Sequence, residues 1–359
     1  MMKVAILILS TTNEPSTSNV AAMKDTFISY CDKNADKFKH EYTFFEYYGI
    51  LDNDGKIDDT IISSDNLIKE SNNFYKIELV SEDGIHNTFE KTVAAFEKVN
   101  ELDKYDWFVR INISTYLNVP LLDKIIGYLD NTIIYSSAVN TYITDEKYFN
   151  DIYPRGDFYM FSKYTYDKVS KYFSKYVFDI KNYRTIFDNT VPHVDDCLMG
   201  LCIIEALGNN YYEKLKTLTY NFLPRDTDIT GFNKYALASR VKTILPGVSY
   251  SGYSWDDNKY RRCDAEKIKR IHEVVIAIDY SSVTPDIFKS QILLADDSPK
   301  SRPTLLIQMS NQRISTIKTH IKRKRGWYLS FYIYYIDALK LPLEVQLLIS
   351  EFVSSNVEP

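Results

Sequence analysis

The run Val4-Ala5-Ile6-Leu7-Ile8-Leu9, followed at once by the polar loop Ser10-Thr11-Thr12-Asn13-Glu14-Pro15, limits the fold more than any other feature of this chain. An unbroken apolar run of strand length reads as a strand buried on both faces. Such a strand needs helices above and below it. The chain supplies them in alternation. A helix is predicted over 18–32, with Val20, Met23, Phe27 and Ile28 on its inner side. Residues 42–47 and 72–80 read as the next strands, the second leading into the turn Ser81-Glu82-Asp83-Gly84. Asn87 or Thr88 caps a helix to about residue 100 that buries Phe89, Val93, Phe96 and Val99. Trp107-Phe108-Val109 is a further buried strand that ends by releasing Arg110-Ile111-Asn112-Ile113-Ser114 into a loop. Residues 132–136 and 157–161 read as strands, 164–173 as a helix, and His193-Val194-Asp195-Asp196 opens a helix that Gly208 stops. The pattern predicts an α/β sheet flanked by helices. In open sheets of this kind ligands sit outside the carboxyl ends of the strands. Thr11, Asp83 and residues 110–114 fall at those ends.

Composition narrows the function classes. The 43 Lys and Arg against 48 Asp and Glu leave a net charge of −5, which excludes binding nucleic acid by bulk charge. No apolar stretch reaches the roughly 18 residues of a membrane span. The nearest, 327–349, is interrupted by Asp337, Lys340 and Glu344. The four cysteines form no Cys-x-x-Cys pair, and sparse cysteine suits a reducing compartment. A soluble, cytoplasmic protein is expected. The 11 glycines argue against a glycine-rich phosphate loop, so an anionic ligand would have to be met by Arg, Lys, amide and hydroxyl groups. The 30 tyrosines fit AT-rich coding, but Tyr116, Tyr153, Tyr159, Tyr250 and Tyr253 stand beside the segments below, where rings can stack on a base or sugar. From about residue 300 the sheet pattern is lost. The stretch 318–335 joins a basic run (Lys318, His320, Lys322, Arg323, Lys324, Arg325) to aromatics from Trp327 to Tyr335. It reads as a solvated charge run, a peripheral contact with an anionic membrane, or a partner-binding helix.

Three segments can carry chemistry. Asp195-Asp196 at a helix start is a carboxylate pair able to supply a general base; the plain alternative is a capped helix with an acidic first turn. The stretch from Tyr105 to Asn118 releases polar groups from a buried strand, as a cleft requires, or simply turns there. Tyr153-Pro154-Arg155-Gly156-Asp157-Phe158-Tyr159 places a glycine where a ligand can approach the backbone, or where the chain only turns into a strand.

Taken in order, these segments resemble the inverting GT-A glycosyltransferases of the β-1,3-galactosyltransferase and fringe type. That family runs a strand into Lys-Thr-Asp-Asp-Asp, then an aromatic and an Asn. Here Arg110 matches the Lys, Asn112-Ile113-Ser114 the acidic triplet and Asn118 the Asn. The family's upstream turn and helix start match Asp83, Asn87-Thr88 and Lys91. Its Tyr-Pro, Gly, aromatic, Ser strand matches Tyr153-Pro154, Gly156, Tyr159 and Ser162, and its Asp-Asp-Cys segment with Gly matches Asp195-Asp196-Cys197 and Gly200. The resemblance spans about 3–275. It implies a GT-A-like, Rossmann-like mixed sheet over 1–299, with 300–359 as a basic, aromatic helical extension.

The resemblance further implies a nucleotide-sugar donor, a UDP-sugar before a GDP-sugar, and a glycan or protein-linked acceptor hydroxyl. Thr11, Thr12, Asp83, Lys91, Arg110, Asn112 and Ser114 would face the donor. Tyr153, Gly156, Asp157 and Tyr159 would face the acceptor, and Asp196, or Asp195 one residue earlier, would be the base. The family's carboxylates hold Mn²⁺ or Mg²⁺ at the diphosphate. Asn112 and Ser114 replace them, so a metal requirement stays open, with Asn112 and His272 as the candidate ligands; a helix-surface role for His272 is the alternative. Arg110, with Lys91 or Arg261-Arg262, would offset the diphosphate charge instead. The Arg-x-Asn-x-Ser form resembles glycosyltransferase-like proteins of large DNA viruses, which implies an enzyme of the host cytoplasm without a Golgi anchor. The missing acidic triplet also motivates a second reading, an inactive GT-A fold serving as a glycan-binding or assembly module. A nucleotide-sugar pyrophosphorylase would want a glycine-rich basic loop after the first strand, and Ser10 to Pro15 is not one.

Overall fold

A computed structural model describes residues 1–51, 66–82, 87–137, 139–141, 152–178, 194–223, 228–242 and 263–294. The chain divides into two compact units, Met1–Asn140 with Tyr153–Ala295, and Thr141–Ile152 with Asp296–Pro359. Apart from Thr141 and Ile152, the second lies outside the described residues, and so do Asp83, His193, Tyr250, Tyr253, Arg261 and Arg262.

In the first unit β1 (Lys3–Leu9) leads through the 10–15 loop into α1 (Ser16–Met23), a π-helical turn (Lys24–Ile28) and α2 (Ser29–Lys33). Then come β2 (Glu41–Leu51), β3 (Asn66–Lys69), β4 (Phe74–Glu82), α3 (Thr88–Asn100) and β5 (Trp107–Asn112). They are followed by β6 (Thr115–Leu117), α4 (Val119–Ile125), β7 (Ile134–Ser136), β8 (Val139–Thr141), β9 (Ile152–Pro154) and β10 (Phe158–Ser162). Next are α5 (Lys163–Val169), α6 (Phe173–Phe178) and α7 (Val194–Leu207). Last come β11 (Leu215–Thr217), β12 (Tyr220–Phe222), β13 (Ala238–Arg240) and α8 (Cys263–Ile276).

Eight strands form one mixed sheet in the order β11-β7-β10-β5-β1-β2-β4-β3. β1 is central and parallel to both β2 and β5. β10 runs antiparallel between β5 and β7, and β3 antiparallel at the edge. The chain steps outward from β1 through β2 to β4, then returns to the other side of β1 as β5. The strand order therefore reverses between β1 and β5, which opens a crevice at their carboxyl ends. A small sheet, β12-β13-β6, adjoins that region through β6, which follows β5 after a two-residue turn. This is the Rossmann-like mixed sheet flanked by helices that the sequence implies.

Alternation along the strands sorts the core into two layers. Val4, Ile6, Ile8, Val109 and Ile111 pack with Val20, Met23 and Phe27, with Leu121 and Leu122 of α4, and with Ile268 and Ile271 of α8. The opposite layer is aromatic. Phe96 of α3 lies 5.3 Å from Phe161, and Phe108 stacks on Tyr166 at 4.7 Å. Each such pair adds about 0.5–1.5 kcal/mol beyond its buried area.

The structure departs from the sequence reading in three places. The strand expected to stop at Val109 continues through Asn112, so Arg110 lies inside the ladder, paired with Leu7 and Tyr159, rather than in a loop. Hydropathy alone marks an arginine as a strand exit; here it is buried inside the sheet with the Tyr159 ring 5.8 Å away. The helix expected over 164–173 is two helices joined by a 3₁₀ turn at Ser170–Tyr172. Asn87 sits at the start of α3 with φ 58° and no side-chain capping bond, so its left-handed backbone, not its amide, turns the chain. Among the described residues no helix is long and apolar enough to cross a membrane.

Candidate functional site at the carboxyl edge of the sheet

Three strands and two helices bring polar groups together beside the β1/β5 crevice. Arg110 projects from β5 toward the face covered by α3 and α7, and only 5% of the residue is exposed. The backbone N–H of Gly156, just before β10, donates to Asp196 Oδ2 at 2.9 Å. Asp196 occupies the first turn of α7 and is half-buried. A Cβ placed on Gly156 would stand 1.9 Å from Asp196 Oδ1 and 2.9 Å from Arg110 Nη1. Both side chains crowd that one position, so only glycine fits there. Gly156 was expected to admit a ligand to the backbone; in the structure the Asp196 carboxylate stands against it.

The guanidinium lies 5.8 Å from the centre of the Tyr159 ring. Tyr47 Oη is 2.9 Å from Thr92 Oγ1. Burial by itself lowers the Arg110 pKa, but the Tyr47, Tyr159 and Asp196 oxygens around it outweigh burial and raise it. Arg110 stays charged. Burial pushes the Tyr159 phenol well up, so it stays protonated.

The turn after β5 is closed on itself. Asn112 Oδ1 accepts from Ser114 N at 3.0 Å and from Thr115 Oγ1 at 2.9 Å, and Thr115 Oγ1 also lies 2.9 Å from the Asp157 carbonyl oxygen. The oxygen expected to face a metal is thus spent inside an Asx-type turn. Among the described residues no group of three His, Cys, Asp or Glu is placed to hold a metal ion. A divalent cation at a diphosphate wants carboxylate oxygens, and this turn offers a committed amide and a hydroxyl. The described residues here do not fit such an ion.

The remaining expected residues divide clearly. Asp157 is buried and accepts from Ser137 Oγ at 2.6 Å, with Arg155 Nε at 3.1 Å and Arg240 Nη1 at 3.8 Å. It ties β10 to the small sheet. Arg240 and Ser137 escaped the sequence reading, and Arg155 stood inside the 153–159 segment without a role. Tyr153 and Tyr159 are each 3% exposed and Tyr116 is fully buried, so none offers a free ring face. Lys91 is completely buried on α3 and Ser114 is buried in the turn. Thr11 donates to Ser16 Oγ at 2.7 Å, while Thr12 is exposed in the loop after β1. Asp195 lies in the first turn of α7 beside Asp196.

His272 lies half-buried on α8 in an aromatic setting. Tyr116 Oη is 3.0 Å from its Nδ1, and the Tyr30 ring meets it edge-on at 5.5 Å. Burial lowers its pKa to about 4, so it is neutral at physiological pH. A cavity of about 560 Å³ opens at the other edge of the sheet, at the amino ends of β1 and β5, lined by Met2, Asp106, Trp107, Leu129 and Lys163. Its charged groups are engaged: Asp106 accepts from Lys3 N at 2.7 Å, and Lys163 pairs with Asp167.

Fold and site together define an α/β protein with a buried guanidinium under a half-exposed carboxylate at the carboxyl edge of its sheet. No family model matches the chain, and no curated protein does. Among the solved structures similar to it, one is a glycosyltransferase involved in the glycosylation of the major capsid of PBCV-1, at 10% identity and TM-score 0.33, over 76% of this chain and 98% of that one. Another is the galactosyltransferase LgtC in complex with donor and acceptor sugar analogs, at 11% identity and TM-score 0.35, over 78% and 98%. Both overlaps are shallow, so a functional reading has to stand on this chain's own residues.

Proposed function

We propose that the chain is an inverting glycosyltransferase that moves a sugar from a nucleotide-sugar donor, a UDP-sugar in the first instance, to an acceptor hydroxyl of a glycan. The observation that carries the reading is the placement of Asp196: a half-exposed carboxylate, oriented by the Gly156 N–H, at the carboxyl edge of β5 beside the crevice where strand order reverses. The ordered motif resemblance supports it. The donor lies across the ends of β1 and β5, against Thr11, Thr12 and the 112–115 turn. Asp196 accepts the proton of the acceptor hydroxyl as that oxygen forms its bond to the anomeric carbon. The bond from that carbon to the diphosphate breaks on the opposite face, and the nucleoside diphosphate leaves with the electron pair. Inversion follows from the opposed geometry. The base must stand within about 3 Å of the hydroxyl it deprotonates.

One observation favours a second reading, a binding module without turnover. The Asn112 oxygen is consumed inside its own turn, so the position that a metal-dependent enzyme would use for its cation is closed. Calorimetry and thermal shift with UDP-, GDP- and dTDP-sugars, each with Mn²⁺ and with EDTA, separate the readings. The transferase reading expects one nucleotide series to bind, to keep its affinity in EDTA, and to be consumed. Binding without consumption supports the module. Absence of binding to every nucleotide overturns both.

A further inference from the structure

We propose that Arg155 and Arg240 form the cationic site that receives the donor diphosphate and offsets its charge in place of a divalent ion. This rests on the reading of the crevice as a nucleotide-sugar site, and it gives the diphosphate contact to two residues that the sequence left without a role.

A diphosphate leaving group gains charge as the bond to the anomeric carbon breaks and its electron pair passes to the phosphate oxygen. The turn after β5 does not hold a cation for it, because the Asn112 oxygen is closed inside that turn. Arg110 and Lys91 are buried, one within the sheet and the other on α3. Arg240 does adjoin the turn. It is the antiparallel partner of Thr115, and the N–H of the next residue, Val241, donates to the Ser114 carbonyl at 2.9 Å. Arg155 enters from β9. Its backbone N–H donates to Ser136 Oγ at 3.1 Å, at the end of β7, and the residue after it is Gly156, whose N–H meets Asp196.

The two guanidinium groups converge on one carboxylate oxygen. Asp157 Oδ2 has Arg155 Nε at 3.1 Å and Arg240 Nη1 at 3.8 Å, while Asp157 Oδ1 accepts from the Ser137 hydroxyl. Oδ2 accepts no hydrogen bond, so the arginines meet it as charges and neither fork is aligned on it. The order of burial decides which charge a ligand meets. The Asp157 side chain is 4% exposed, against 18% for Arg155 and 11% for Arg240, so the carboxylate lies beneath and the cations lie outward. Aromatic groups of β12 stand beside them. Arg155 Nη1 donates to Tyr220 Oη at 3.3 Å, and the Arg240 guanidinium lies 5.8 Å from the centre of the Phe222 ring, which is itself exposed. A guanidinium fork matches phosphate oxygens two at a time. Two forks gathered over one buried counter-charge make a site for two linked phosphoryl groups.

The test uses the full chain in EDTA, with calorimetry of inorganic pyrophosphate, which carries the charge without base or sugar. The wild type should bind it, and less tightly as salt rises. Arg155→Gln and Arg240→Gln should each weaken binding about ten-fold or more and raise donor KM by a similar factor in transfer assays. Arg155→Lys and Arg240→Lys keep the charge and serve if the glutamine variants fail to fold; each should weaken binding about three-fold or more. Asp157→Asn keeps both arginines and removes the charge beneath them, so pyrophosphate should bind about three-fold tighter or more. Arginines that only brace the fold would give unchanged or weaker binding in that variant. No pyrophosphate binding by the wild type, wild-type affinity in folded arginine variants, or no gain in folded Asp157→Asn overturns the proposal. If pyrophosphate binding needs both arginines but no nucleotide-sugar binds, the donor reading fails and the anion site stands. If the arginine variants consume donor at the wild-type KM, the anion site fails and the donor reading stands.

Discussion

Gly156 and His272 show how far single residues set the behaviour of this protein. At Gly156 any side chain collides with a carboxylate rather than with open space. Gly156→Ala should therefore push Asp196 off the backbone N–H, with a stability loss of about 1–3 kcal/mol from overpacking. Transfer should fall by about 10²-fold as the base leaves its position. Denaturant melts and initial rates on the same preparation check both. Wild-type turnover in a folded Gly156→Ala variant would contradict the role given to that contact. His272 makes a different prediction. Its pKa is about 4 in the folded chain, where burial disfavours the imidazolium, against about 6.5 when unfolded. The unfolded chain binds the proton first, so the contribution of neutral His272 is complete above the unfolded value and is lost as pH falls toward 4. After discounting for solvent screening of a half-buried ring, about 1–2 kcal/mol is at stake. Between pH 7 and pH 4.5 the wild type should lose that much more unfolding free energy than His272→Gln. Parallel curves would place the titration elsewhere.

At the scale of elements, α7 is the part whose placement matters most. A Cβ on Gly200 would stand 2.5 Å from Tyr153 Cβ, so the glycine lets the helix lie directly against β9 and sets Asp196 over Gly156 one turn earlier. Gly200→Ala should lower the melting temperature by several degrees, as about 1–3 kcal/mol of overpacking implies, and should lower kcat with it. Destabilisation with unchanged kcat would show that the helix tolerates the shift. α4 begins differently. Asn118 Oδ1 accepts from Leu121 N at 3.1 Å, and its amide donates to Tyr280 Oη at 2.8 Å. Asn118→Ala should cost about 0.5–2 kcal/mol in denaturant melts, with no change in nucleotide affinity. These elements also show what the sequence made legible. β1 carries an unbroken apolar run and α3 a clear helical period, and the residues expected to face inward (Val20, Phe27, Phe89, Val93, Phe96) do so, although the helix expected over 18–32 is interrupted by a π-turn at Lys24–Ile28. β6, β11, β12 and β13 have three residues each, too few for a period to be read. The site was legible as a set of positions but not as a set of roles. Spacing marked Gly156 and Asp196, yet only the fold shows them touching, because their contact spans strand register and helix docking. The aromatic expectation fails at Tyr116, Tyr153 and Tyr159 for a related reason: they occupy inward positions, and nothing local distinguishes a core tyrosine from a stacking one.

For the molecule as a whole, topology is what turns these contacts into a site. Strand order reverses between β1 and β5, the loops after both strands open on one edge, and α7 delivers a carboxylate to that same edge. The cavity at the other edge is built from groups that already hold each other. The account therefore stands on Asp196 acting as the base of sugar transfer. Its most direct test follows donor consumption by NMR at saturating nucleotide-sugar, for wild type and Asp196→Asn side by side, with nucleotide affinity measured by calorimetry on both. The account predicts turnover in the wild type, a loss of about 10²–10⁴-fold in the variant, and affinities within about two-fold of each other. Full turnover by Asp196→Asn would contradict it.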